Sequence, residues 1–130
     1  MRKPLCTLSN LSRKKSAQLS LGIADDHLSR IRGLMFRKKI IPILFIFDKE
    51  GIYPIHSNFV CAPFDAVYLS EEKKIVEIFR KIAPNTQLVT PKKKARYLVE
   101  LPVALTDGLC VRVGDRIEWK IEEGKEKPKC

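Results

Sequence analysis

The sequence has 130 residues, 45 % hydrophobic and 31 % charged, which makes one domain with a single core and excludes a disordered chain. No stretch approaches the roughly 20 apolar residues of a membrane span; residues 40–47 come nearest and are interrupted by Pro42. The net charge of +10 reads first as solvated basic loops and second as a footprint for a polyanionic partner.

In chain order, residues 1–16 carry Arg2, Lys3, Arg13, Lys14 and Lys15 with no acid and no hydrophobic period, so they read as a flexible basic arm. The arm lacks the apolar region of a signal peptide, which predicts a cytoplasmic protein. A first short strand is expected over Leu19–Ile23. Asp25 and Asp26 then open a helix as N-cap and first-turn carboxylates. Leu28, Ile31, Leu34 and Met35 recur at helical spacing as its buried stripe, and Arg37, Lys38 and Lys39 fill its last turn. Gly33 is costly inside a helix, so it signals either close approach of another segment or an earlier helix end.

Beyond this helix the chain reads as strands. The unbroken apolar run Ile43–Phe47 predicts a strand buried on both faces, followed by a turn at 48–51 into a strand over Ile52–Val60. Phe64–Leu69 alternates, with Asp65, Val67 and Leu69 on one face and Phe64, Ala66 and Tyr68 on the other. Further strands are expected over Lys74–Ile82, Thr86–Val89, Ala95–Leu101, Leu109–Val113 and Arg116–Ile121, separated by turns at 70–73, 107–108 and 114–115. Residues 123–130 form a charged tail, leaving one domain over 17–122. One helix and about eight short strands predict an α+β fold, mostly antiparallel: a partly closed β-barrel or rolled sheet with the helix packed against it.

Cys6, Cys61, Cys110 and Cys130 lie far apart with no C-x-x-C pair, which argues against zinc and for free thiols. Few Gln and Asn beside many Lys, Glu and Ile suggest a thermophile. His56 and Cys61 are five apart, hence on opposite faces of one strand and no catalytic pair.

Several segments, in order, resemble the DUF192 (UPF0127) family of uncharacterised bacterial and archaeal proteins. Arg30-Ile31-Arg32-Gly33-Leu34-Met35-Phe36-Arg37 resembles its R-x-R-G-L-M-x-R signature, and Leu44-Phe45-Ile46-Phe47 its L-F-V-F strand. Pro63–Leu69 resembles the P-[LI]-D-[IV]-V-F-[LI] segment, Tyr97–Pro102 the Y-V-L-E-L-P segment, and Gly114-Asp115 the terminal G-D. Ser57-Asn58-Phe59-Val60-Cys61 stands where many bacterial members carry W-M-K-N-T, so the chain resembles an archaeal-type member without a signal peptide. The resemblance implies a fold and no activity.

Three functions fit these residues. The first is a non-catalytic binding module with a polar cleft between helix and sheet, taking an unidentified small anionic or polar ligand through Arg30, Arg32, Arg37, His56, Asn58, Asp65 and Glu100. The second is a nucleic-acid-binding protein using Arg13, Lys14, Lys15, Lys92, Lys93, Lys94 and Arg96. The third is a hydrolase pairing Asp65 with His56 or Glu100. No motif calls for a cofactor or metal, and none specifies an oligomeric state. Asp65 shares a face with Val67 and Leu69, so it is expected to be buried and paired with Arg30, Arg32 or Arg37.

Overall fold

Alternation at the start of the chain already builds structure in the computed structural model, which describes residues 1–122. β1 (Leu5–Asn10) turns Cys6, Leu8 and Asn10 inward and pairs antiparallel with β2 (Lys15–Ser20) and with β8 (Ile117–Ile121). The expected flexible arm is therefore the centre of a three-stranded sheet. Its dense Ser, Arg and Lys obscured a period of two whose inward positions include a buried asparagine. Asn10 Nδ2 donates to Leu109 O at 3.0 Å and to Asp115 Oδ2 at 2.9 Å, so its burial leaves no amide proton unpaired. The tail expected over 123–130 lies outside the described residues.

The second sheet has the order β3-β4-β7-β5-β6, built from β3 (Gly22–Ala24), β4 (Ile43–Gly51), β5 (Phe64–Leu69), β6 (Ile75–Ile82) and β7 (Ala95–Leu101). All pairs are antiparallel except β3 with β4. The sheets do not close, so the fold is α+β with a rolled, mainly antiparallel arrangement. One face of the five-stranded sheet packs Val67, Leu69, Val99 and Leu101 against Cys6, Leu8 and Ile117 of the three-stranded sheet. The other packs Phe45, Phe64, Ala66, Tyr68 and Leu98 under Leu34, Val60 and Ile55. Every residue of β5 is buried, as a strand with a core on each side must be.

The helix differs most from expectation. α1 (His27–Arg32) begins where the sequence placed it: Asp26 caps it, accepting from the Ser29 N–H at 2.8 Å. It ends at Gly33, whose φ of +46° leaves the helical region. With six residues it forms no buried stripe; Leu28 is 78 % exposed and Ile31 57 %. Leu34 reaches the core from the loop beyond. The expected turn at 48–51 continues β4 instead, through a register shift between Ile46 and Gly51. The expected strands 52–60 and 86–89 reduce to one bridge, Ile55 to Val89. Residues 103–108, with Asp107-Gly108 read as a turn, form α2 (Val103–Gly108) directly after Pro102. Leu109 and Val111 are buried beyond it without forming a strand.

Candidate functional site

Between α1, its following loop and the open face of the five-stranded sheet lies a cleft of about 270 Å³. Glu100 comes from β7 and Phe45 from β4, while Phe64 begins β5, and these residues form the cleft's sheet side. Leu34, Val60 and Ile55 add apolar surface, and Arg30, Arg32 and His56 supply the polar groups.

Gly33 is what lets the loop close over the sheet. A Cβ there would stand 3.1 Å from Phe45 Cζ and 3.5 Å from Glu100 Oε1, and the φ of +46° is itself one that side chains rarely adopt. Both sequence readings of this glycine, close approach and early helix end, hold together.

Arg30 is fixed by its Nη1, which donates to Asp25 O at 2.9 Å and to Ile46 O at 3.1 Å, tying α1 to β4. Arg32 is exposed, with one long contact of 3.5 Å to Met35 O. His56 is oriented by its own loop: its Nδ1 accepts from the Asn58 N–H at 3.2 Å, which leaves Nε2 as the protonated nitrogen of the neutral ring. That loop is held from behind by Ser57, which is fully buried. Its hydroxyl donates to Ala83 O and accepts from the Thr86 N–H at 2.8 Å.

Glu100 is 4 % exposed, and its carboxyl makes no hydrogen bond or ion pair among the described residues. Burial alone pushes its pKa up to about 8, so near neutral pH it is mainly a neutral acid that can donate a hydrogen bond.

Of the residues singled out from sequence, Arg30, Arg32, His56 and Glu100 meet in this cleft; Arg37, Asn58 and Asp65 do not line it. Arg37 turns its Nε to Gly33 O at 2.8 Å. The expected ion pair between Asp65 and an arginine does not form. Asp65 lies opposite Leu101, one position from the Ala66–Glu100 pair, so the two carboxyls face opposite sides of the sheet. This removes Asp65 as a catalytic partner of Glu100.

What Asp65 does instead follows from a bulge. Phe64 pairs with Ile82 and Ala66 with Phe79, so two residues of β6 oppose Asp65 alone. Lys81, at φ +51°, has its N–H turned out of the ladder, and Asp65 Oδ1 accepts it at 2.7 Å. Asp65 Oδ2 has no hydrogen-bond partner among the described residues.

Sequence reasoning missed the apolar lining from Phe45, Val60 and Phe64; the one signal for it was the unbroken Ile43–Phe47 run, read only as core. The basic residues of the nucleic-acid alternative separate onto different sheets. Arg13, at the β1–β2 turn, pairs with Asp115 at 3.2 Å. Arg96, on β7, pairs with Glu71 at 3.0 Å and also donates to Phe47 O. Among the described residues no three His, Cys, Asp or Glu side chains group as metal ligands, and Cys6, Cys61 and Cys110 are free. No helix of the structure is long and apolar enough to cross a membrane.

Four of the segments quoted from the sequence contribute residues to this cleft, and comparison with known proteins agrees. A UPF0127 protein of Pyrococcus furiosus is 30 % identical over 112 residues, covering 85 % of this chain and 95 % of its own. One from Thermococcus kodakarensis is 34 % identical over 121 residues, covering 91 % and 76 %. The fold is shared with the crystal structure of "a putative transcription regulator" from Sinorhizobium meliloti 1021, with TM-score 0.79, 23 % identity, and coverage of 90 % of this chain and 93 % of that one. The family model of DUF192, "Uncharacterized ACR, COG1430", matches residues 9–119, and the chain belongs to that family.

Proposed function

We propose that the chain is a binding module whose cleft takes a small organic anion. The carrying observation is Glu100, a buried carboxyl that faces the cleft with no partner of its own. Its oxygens open to the cleft rather than being sealed in the core, so a ligand's acceptor can take the proton that this acid carries. The protonated acid donates to that acceptor, Phe45, Phe64 and Val60 cover an apolar body, and Arg30 and Arg32 meet the anionic group.

The test is a thermal-shift and calorimetric screen of small carboxylates and phosphomonoesters, each beside an uncharged analogue. The anions should stabilise the wild type and the analogues should not. Arg32→Ala should weaken binding roughly 10- to 100-fold, as expected for losing a charge-assisted hydrogen bond. Glu100→Gln, which keeps a donor, should bind better than Glu100→Ala. A screen in which neither substitution alters any response would refute the reading.

A further inference from the structure

The structure assembles a second basic surface that the sequence left in two pieces. Lys3, from the segment before β1, joins Arg32, Phe36, Arg37, Lys38 and Lys39 around an open groove of about 320 Å³. Lys3 is brought there by main-chain pairing: the Ile23 N–H donates to Arg2 O at 2.8 Å, laying the start of the chain beside β3. Among the described residues five cations line the groove and no carboxylate does. Burial, and then the neighbouring charge of Arg32, push the Arg37 guanidinium down from its ordinary pKa, as expected of cations gathered without a counter-charge.

Beside the cations stands an aromatic pair. Phe36 and Phe59 stack with ring centroids 4.9 Å apart and planes 20° apart, yet they are 68 % and 61 % exposed. Both residues have positive φ, 62° and 61°, and the Phe36 N–H donates to Phe59 O at 2.9 Å. Bulky residues rarely hold this conformation, and here it presents rings to solvent rather than to the core. A pair stacked on one another still offers each ring's outer face.

We propose that this groove binds single-stranded nucleic acid, with phosphates along Lys3, Arg32, Arg37, Lys38 and Lys39 and an unpaired base stacked on the Phe36–Phe59 pair. Cations gathered around one open groove suit a phosphodiester chain, and an exposed ring face suits a base free of its complement. An anionic membrane is the weaker match, because it offers no unpaired base for the Phe36–Phe59 stack. The site is separate from the small-ligand cleft apart from Arg32, which borders both.

Fluorescence anisotropy of the full chain with labelled oligo(dT) and oligo(U) across a salt series tests this. If all five cations meet phosphates, the slope of log K against log salt approaches about −3.5. Combining Lys38→Glu with Lys39→Glu should weaken binding at least tenfold at low salt while leaving the thermal midpoint near wild type. Phe36→Ala should cost roughly tenfold and leave the salt slope unchanged, because stacking releases no counterions. Replacing Lys92, Lys93 and Lys94 by Ala should change affinity less than twofold. No binding at low salt would overturn the proposal. So would an equal loss in the Lys92–Lys94 variant, or preference for phosphatidylglycerol vesicles or inorganic polyphosphate with Phe36→Ala neutral. Because Lys38 and Lys39 lie outside the cleft, failure here leaves the small-ligand reading standing, and the reverse holds too.

Discussion

Asp65 and Glu100 are two buried carboxyls on adjacent strands, 1 % and 4 % exposed, with opposite fates. Asp65 faces the core between the sheets and completes the backbone of a bulge by accepting the Lys81 N–H. Glu100 faces the cleft and completes nothing among the described residues. Burial alone therefore does not tell a structural carboxylate from a binding one; what distinguishes these two is that the fold supplies a donor to one oxygen of Asp65, whereas Glu100 opens to the cleft. The first expectation for Asp65, an arginine partner, had the right burial and the wrong donor.

The largest expected effect breaks the Asp65 side of this contrast. Asp65→Ala removes the acceptor of the Lys81 N–H and leaves a gap beneath the bulge, which should cost about 1–3 kcal/mol in urea unfolding. It should also speed hydrogen exchange at the Lys81 amide while cleft ligands bind as before. Asp65→Asn retains a carbonyl acceptor and should lose much less. If Asn and Ala destabilise equally, charge rather than the bulge contact is what Asp65 provides.

Next comes the hinge that brings the loop to Glu100. Gly33→Ala forces a side chain into φ +46° and against Phe45, for an expected loss of about 1–2 kcal/mol. Unlike Asp65→Ala, it should also weaken cleft binding, because the loop must move away from the sheet. A variant that keeps both its stability and its binding would show that the close approach at Gly33 is dispensable.

The third prediction sharpens the Glu100 side and is read as a slope against pH. Its folded pKa of about 8 lies above the ordinary 4.5, so between these values the folded state binds the extra proton. Its contribution is fully present below pH 4.5 and is lost as pH rises through about 8. Stability of the wild type should therefore fall with pH across that window relative to Glu100→Gln, which has no proton to lose. Parallel pH–stability curves for the two proteins would show that Glu100 titrates normally.

Local pattern carried a good part of this protein. The alternation of β5 and β7 separated Asp65 from Phe64 and set Glu100 opposite Tyr97, Val99 and Leu101, because a strand's period of two needs no tertiary information. Asp26 marked the start of α1 for an equally local reason, a side chain that caps, whereas the last turn expected at Arg37–Lys39 lies beyond the true end at Gly33, where the backbone turns left. The same local logic failed where contacts come from far along the chain. Only the docking of β8 made strand centres of residues read as an arm, since a polar alternation forms a strand when a partner satisfies its backbone. Only the bulge in β6, some sixteen residues from Asp65, created the donor that Asp65 accepts. And only the fold set Glu100 beneath Gly33 and Lys3 beside Lys38, because a cleft is made of residues whose separation in sequence carries no period to read.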